Sequence, residues 1–234
     1  GTGSANTAGS INSTVSVNAT SGFSIVSWQG TDANASVGHG LSKAPTMVFY
    51  KTRGLGESWV VYNKQIGAGY KLELNEQNSR ASSTTNFQNG LDPNNSVFYV
   101  GANSANKNTP MIAYCFTDVQ GYSKIGSYTA NGNADGPFIY TGFKPAFVMF
   151  KSAIGETKHW SIRDNKRDPV NASNTNLFAN LTGADSTSND IDFLSNGIKL
   201  RNTGGSWNTN TATYIYMAFA EAPLVGTNGV TAKA

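Results

Sequence analysis

The sequence predicts an all-β protein with two tandem repeats of about 100 residues, each forming an antiparallel β-sandwich or jelly roll. Three observations predict it. The same landmarks occur twice in the same order, and short β-branched and aromatic runs are bounded by Gly, Asn, Ser, Asp or Pro. No segment combines helical periodicity with helix caps. The polar turns do not indicate disorder, because aromatic residues make up 11% of the chain and lie within the apolar runs.

The duplication is visible in landmarks whose offset drifts only from about 99 to about 103 residues. The paired landmarks are 22–24 with 121–123, 43–51 with 143–151, Trp59 with Trp160, and 111–117 with 214–220. Small loop insertions account for the drift. A duplicated scaffold with divergent loops is typical of a protein that presents a surface, because a single catalytic centre is harder to build from two equal halves.

Seven strands are predicted in each copy, each bounded by turn-forming residues. In the first copy they are 14–18, 23–29, 46–52, 59–63, 70–74, 97–101 and 111–117. In the second copy they are 123–129, 137–140, 146–151, 160–163, 176–180, 198–201 and 213–220. Short antiparallel strands without helices indicate packed sheets.

The predicted domain boundaries follow the repeats. They give an N-terminal tail with one edge strand (1–21), a first repeat (22–120), a second repeat (121–225) and a C-terminal tail (226–234). Only Val119-Gln120 separates the copies, so free tumbling is not expected. The copies are predicted to dock rigidly, as two sandwiches or merged into one.

Composition excludes several classes of function. The net charge is only +3 and the Lys and Arg residues are scattered, so no nucleic-acid partner is predicted. No apolar stretch is long enough to cross a bilayer, so no membrane insertion is predicted. The single cysteine, Cys115, lies in an apolar run where the second copy has Ala218. It is therefore predicted to be a small buried residue rather than a nucleophile.

No metal-ligand spacing, phosphate-binding loop, nucleophile elbow or dinucleotide fingerprint occurs in the sequence. The chain is therefore predicted not to be an enzyme, with no catalytic residue, no metal and no cofactor. Glu57 and Glu156 lie in equivalent loops, which favours a structural role over an acid/base pair in one cleft. Asp185, Asp190 and Asp192 cluster in a predicted loop whose spacing matches no calcium loop, so a solvated loop is predicted.

Four residues are candidates for ligand contact: Trp28, Tyr128, Trp207 and His39. Trp28 and Tyr128 end the first strand of each copy, just before polar turns. Trp207 lies in the polar run Gly204-Gly205-Ser206-Trp207-Asn208 and is predicted to be exposed. An aromatic face flanked by Asn and Asp can stack on a sugar ring or form a protein hot spot. His39, between two glycines, is either a turn residue bonded to backbone or a ligand contact.

A family resemblance rests on segments of both copies. They are 22–28, Val37-Gly38-His39-Gly40-Leu41 and 44–51 in the first copy, and 132–148, 193–202 and 213–219 in the second. These segments resemble a repeat found in tail and fibre-like proteins of bacteriophages, particularly marine and cyanobacterial ones. The resemblance spans 14–223. The first copy lacks the Asp-Gly-Pro-Phe of the second. The resemblance therefore does not imply that the two copies have the same function.

The resemblance implies a lectin-type β-sandwich on a virion appendage, extracellular and at the surface of the phage particle. It implies attachment to a host glycan or receptor, contacts with other virion proteins and a homo-oligomer, commonly a trimer. On that interpretation, Trp207→Ala should weaken attachment and leave the fold intact. The alternative is an architectural virion protein, such as a capsid decoration or a fibre domain, that binds other virion proteins. A carbohydrate-cleaving enzyme would need paired carboxylates in an aromatic-lined groove.

Overall fold

Every regular secondary-structure element in residues 2–221, which the computed structural model describes, is a β-strand. The predicted all-β class is confirmed. The predicted C-terminal tail, 226–234, and the end of the predicted second repeat, 222–225, lie outside the described residues. None of the described residues forms a helix long and apolar enough to cross a membrane. The chain divides into unit 1 (Gly1–Asn75 and Arg80–Asp118) and unit 2 (Glu76–Ser79 and Val119–Ala234).

Unit 1 combines a large antiparallel sheet with a small second layer. Its strands are β1 (Ser4–Asn6), β2 (Ser13–Asn18), β3 (Phe23–Gln29), β4 (Ala35–Gly38), β5 (Met47–Thr52), β6 (Val60–Asn63), β7 (Tyr70–Glu73), β8 (Ala81–Ser82), β9 (Val97–Val100) and β10 (Pro110–Phe116). The sheet has the order β1-β2-β3-β10-β5-β6-β7-β8, and β4 pairs with β9. Phe98 of β9 packs against Trp28 and Tyr50 of the sheet, with ring centroids 5.5 and 5.3 Å apart, so the core lies between the layers.

Unit 2 has eight strands in one continuous sheet. They are β11 (Ser123–Thr129), β12 (Phe138–Tyr140), β13 (Pro145–Ile154), β14 (Ser161–Asp164), β15 (Ser173–Phe178), β16 (Ser186–Leu194), β17 (Gly197–Leu200) and β18 (Thr213–Ala220). Their order is β11-β18-β13-β14-β15-β16-β17-β12. Ile139 and Ile198, at one end of this order, share a core cluster with Phe150 and Tyr214 near the other end. The sheet therefore curves back over itself to enclose the core.

Four strands were not predicted, namely β1, β4, β8 and β16. The largest error concerns β16, because Asp190 and Asp192 lie on this strand and not in the predicted solvated loop. Asp192 Oδ2 accepts a hydrogen bond from Arg201 Nε at 2.6 Å. β16 was not predicted because many of its residues are polar, whereas the strands were identified from apolar runs. The strand predicted at 176–180 is β15, which begins three residues earlier.

Strand pairing identifies equivalent residues in the two units. β4 of unit 1 is equivalent to β12 of unit 2, because the buried Val37 and Ile139 lie opposite the equivalent core residues Phe98 and Ile198 of their partner strands. Side chains alternate between the faces of a strand, so the outer positions correspond as well. Ser36 corresponds to Phe138, and Gly38 corresponds to Tyr140.

The N-terminal segment, residues 4–18, does more than supply the one edge strand that was predicted. β2 pairs with β3, and β1 pairs with β2. Between these two strands Ser10 N donates to Ser36 O of β4 at 2.9 Å, and at the start of β2 Ser13 Oγ donates to Gly38 O at 3.0 Å. The segment thereby closes the side of unit 1 that lies between β3 and β4. In unit 2, β11 and β12 are the end strands of the described sheet.

Cys115 is a buried residue of the unit 1 core, as predicted. Its side chain is inaccessible to solvent, and it lies on β10 beside Ser24 of β3. Burial raises the pKa of the thiol to about 12, and a hydrogen bond with Ser24 offsets this only in part. The thiolate form required of a nucleophile is therefore disfavoured at neutral pH.

We expect Gly38→Tyr, which introduces the residue that unit 2 carries at the equivalent position, to detach the N-terminal segment. A Cβ at Gly38 would lie 2.3 Å from Asn6 Oδ1 and 2.8 Å from Ala8 O. Overpacking of this kind costs about 1–3 kcal/mol. Amide hydrogen exchange of the N-terminal segment measures the loss. Gly56→Tyr is the control, because no atom lies within 4 Å of a Cβ there. Unchanged protection in Gly38→Tyr would contradict the packing described.

Candidate functional site

His39 is a turn residue held by the backbone. The ring is buried, Nε2 lies 3.0 Å from Asn94 O, and Nδ1 accepts a hydrogen bond from Leu41 N at 3.1 Å. Because Nδ1 is an acceptor, the neutral ring carries its proton on Nε2. Burial lowers the pKa of His39, and the bond to Asn94 opposes this only in part. The backbone-bonded turn role is confirmed, and the ring is not open to a ligand.

Trp28 belongs to the core of unit 1. Its side chain is only 5% exposed, its Nε1 donates to Asn106 Oδ1 at 3.0 Å, and its ring meets Phe98 edge-on. The indole face is therefore not available to stack on a sugar, contrary to the prediction. Trp28 does form part of the wall of an open groove on unit 1.

The prediction that Trp207 is exposed is wrong. The side chain is fully buried, its ring centroid lies 6.0 Å from that of Phe150, and the guanidinium carbon of Arg163 lies 4.5 Å from it. The polar neighbours that indicated a solvated loop instead bond the loop to itself, as where Asn208 Nδ2 donates to Asn133 O at 2.9 Å. The indole Nε1 has no hydrogen-bond partner among the residues described.

Tyr128 supports this loop rather than a ligand. It is half-buried, its hydroxyl donates to Trp207 O at 2.6 Å, and its ring stacks on Tyr214 with centroids 5.4 Å apart. Tyr128 stands on β11 where unit 1 has Trp28 on β3. The structure gives Tyr128 a packing role, and a ligand contact by this residue stays a prediction.

The duplication contains a signal that would have placed Trp207. Asn106 and Asn208 are equivalent, because each donates its Nδ2 to a backbone carbonyl in an equivalent loop, after β3 in unit 1 and after β11 in unit 2, at 2.7 and 2.9 Å. The residues before them, Ala105 and Trp207, are then also equivalent, and both are fully buried. A residue whose counterpart is a core alanine is expected to point inward.

The largest exposed aromatic surface of a described strand lies on β12. Phe138 is 46% and Tyr140 59% exposed, while Ile139 between them is buried. The two rings therefore share the outer face of one strand, and we call this pair the aromatic face. The sequence placed a strand here without naming either ring as a candidate. The Phe-Ile-Tyr alternation of this strand, with its aromatic residues on the solvent side, is the sequence pattern that could have identified both rings as candidates.

Charged side chains flank the aromatic face. Lys124 Nζ donates to Tyr140 O at 2.8 Å and lies 5.0 Å from the centroid of that ring. Lys199 Nζ lies 2.6 Å from Asp135 Oδ1, and this hydrogen bond holds the pKa of Asp135 below its usual value. The face thus offers apolar rings beside an ammonium donor and a carboxylate acceptor. No group of three side chains suited to hold a metal ion occurs in residues 2–221.

Trp207→Ala is expected to destabilise unit 2 by about 3–5 kcal/mol, because it leaves a large cavity in the core. Urea denaturation followed by circular dichroism measures the loss. The control is Trp59→Ala, whose ring is only half-buried and should cost less. An intact midpoint for Trp207→Ala would contradict the burial of Trp207.

The stability of the protein is expected to fall on acidification through His39. The unfolded chain takes up this proton near pH 6.5, whereas burial lowers the pKa in the folded state. Below that pH the unfolded state therefore binds more protons, and the free energy of unfolding decreases. Denaturation curves at pH 7.5 and 5.5 should differ less for His39→Gln than for the wild type. His159→Gln controls for removal of a histidine elsewhere. Equal pH dependence of wild type and His39→Gln would contradict this.

Residues 1–223 match the model of a family described as "Domain of unknown function (DUF7483)". No curated protein and no solved structure gives a significant match to the chain. The match to the family model covers nearly the whole sequence. The chain therefore belongs to the family described as a domain of unknown function, DUF7483.

Proposed function

We propose that this protein is a non-catalytic recognition module of a bacteriophage virion, exposed on a tail fibre or a similar surface, that attaches to a glycan of the host cell. The observation that carries the proposal is the aromatic face of unit 2. The virion setting rests on the resemblance of the repeated segments to phage tail and fibre-like proteins.

The geometry of the aromatic face suits a sugar chain. Phe138 and Tyr140 are two residues apart on β12, so their attachment points are roughly 7 Å apart along the strand. Rings at this spacing can contact neighbouring sugar residues, whose apolar faces pack on aromatic surfaces. Lys124 and the Lys199–Asp135 pair lie beside the rings, where sugar hydroxyls can exchange hydrogen bonds with an ammonium and a carboxylate.

Comparison of the two units favours a ligand over a packing role for these rings. Unit 1 carries Ser36 and Gly38 at the equivalent positions, and the N-terminal segment covers them. The scaffold therefore does not require aromatic residues at these positions. Two large rings that stay half-exposed on a strand contribute little to the core, which supports a role in recognition.

A single shallow site of this kind binds weakly, so attachment depends on several copies engaging together. A homo-oligomer, a trimer by the same resemblance, would present three aromatic faces. Its other surfaces would contact the remaining virion proteins. This arrangement gives strong adsorption to a cell surface from individually weak contacts.

A purely architectural virion protein is the second candidate function. It is favoured by β11 and β12, which end the described sheet of unit 2, because an end strand is a place where another polypeptide can add by backbone hydrogen bonds. The two functions differ in what they require of the aromatic face. Glycan attachment needs the rings themselves, whereas strand addition needs the backbone edge.

The double variant Phe138→Ala/Tyr140→Ala tests the proposal. It is expected to weaken binding to the recognised host glycan by about tenfold or more, since covering a Phe-sized apolar side chain contributes about 1.5–3 kcal/mol. Both side chains are exposed, so the thermal midpoint should stay close to that of the wild type. The assay is binding of the full chain to a panel of bacterial surface glycans and to whole host cells.

Leu91→Ala removes a comparably exposed apolar side chain from unit 1 and is the matched control. Unchanged glycan binding by the double variant would remove the aromatic face from the site. Failure of the folded wild type to bind any glycan or host cell would favour the architectural function.

A further inference from the structure

An open groove of about 460 Å³ lies across unit 1 where β2, β3 and β10 meet. The side chains used below are Asn12, Thr14, Ser27, Gln29, Arg53 and Pro110. All of these residues belong to unit 1. The groove therefore shares no residue with the aromatic face, which belongs to unit 2.

The groove is lined with groups that can bind sugar hydroxyls. Asn12 and Thr14 are exposed, and Ser27 Oγ donates a hydrogen bond of 3.5 Å to Thr14 O. Gln29 Nε2 donates to Asn108 Oδ1 at 3.2 Å, which leaves its amide oxygen as an acceptor. Hydroxyl and amide groups at the surface of an open groove give a polar site of the size of a short oligosaccharide.

Arg53 is the one charged residue among those described in the groove lining. Its backbone is fixed beside the groove, because Arg53 N donates to Pro110 O at 2.8 Å. Its exposed guanidinium makes no hydrogen bond or ion pair with the described residues. Nearby cations are engaged, since Lys51 donates to loop carbonyls and Lys107 lies 4.0 Å from Asp32. The groove therefore has a positive group and no carboxylate to neutralise it.

We propose that this groove binds an acidic oligosaccharide, with Arg53 pairing with the carboxylate of a uronic-acid residue. The planar guanidinium matches a carboxylate in a two-pronged hydrogen bond, which a neutral sugar cannot offer. The hydroxyl and amide side chains hold the remaining ring hydroxyls. This inference rests on the proposed function in that the ligand is a glycan, and it adds a second site and a chemical class.

Unit 2 shows that the groove does not follow from the shared scaffold. Lys51 and Lys151 are equivalent, since they lie opposite equivalent residues of β10 and β18. The register of β13 shifts after Ser152, so the residue at the position of Arg53 is Ile154, which is exposed and carries no charge. The N-terminal segment, which supplies Asn12 and Thr14, belongs to unit 1. The cation and half of the polar lining are thus features of unit 1.

Calorimetric titration of the full chain tests the inference. The probes are trimers of galacturonate and of glucuronate, each with its methyl ester as the neutral counterpart of the same shape. We expect at least one acid to bind about tenfold or more tightly than its ester, and raised salt to weaken it. Arg53→Gln should remove this difference. Arg80→Gln, which removes an arginine stacked on Tyr70 in unit 1, should retain it.

The outcomes separate this inference from the proposed function. Equal affinity for acids and esters, or an acid preference that persists in Arg53→Gln, overturns the groove site. If binding is then lost in Phe138→Ala/Tyr140→Ala, glycan attachment through the aromatic face stands alone. An acid preference that survives the double variant and disappears in Arg53→Gln supports the groove. Inorganic phosphate that competes fully at the same site shows a simple anion site and overturns the sugar assignment.

Discussion

The N-terminal segment closes the side of unit 1 between β3 and β4, and the main surface features of both units depend on that closure. In unit 1 the segment needs small residues beneath it, so β4 carries Ser36 and Gly38. Its own side chains then build one wall of the groove. In unit 2 the equivalent strand is not restricted in this way, and it presents Phe138 and Tyr140 to solvent. One covering segment thus explains why two similar scaffolds have different surfaces.

Each unit has an equivalent lysine that donates hydrogen bonds to the loop before the recurring tryptophan. Lys51 Nζ donates to Leu55 O and Glu57 O, and Lys151 Nζ donates to Lys158 O at 2.5 Å. Burial lowers the pKa of Lys151 to about 8. The charged form that donates these bonds therefore still predominates at neutral pH. In each unit one lysine side chain thus donates hydrogen bonds to loop carbonyls that would otherwise have no donor.

The sequence predicted the fold more fully than the site. Apolar alternation located most strands, since burial of one face imposes that period. It failed for β16, where polar residues form a strand, and for Trp207, whose polar neighbours bond the loop inward. Exposure of Phe138 and Tyr140 was not predictable from composition, because aromatic residues on a strand are usually core. The Phe-Ile-Tyr alternation and the comparison of equivalent positions in the two units together show which positions the scaffold leaves free.

The two units carry different aromatic residues at equivalent positions, and this difference affects how the chain folds. Tandem domains of similar sequence can trade strands while they form, which leads to misassembled states. Here a β11 inserted into unit 1 would set Tyr128 beside Ala105 and leave space unfilled. A β3 inserted into unit 2 would bring Trp28 against Trp207 and crowd the core. We therefore expect each unit to accept its own strand, β3 or β11, more readily than that of its neighbour. The divergence at these two pairs of equivalent positions would then keep a duplicated chain from pairing out of order.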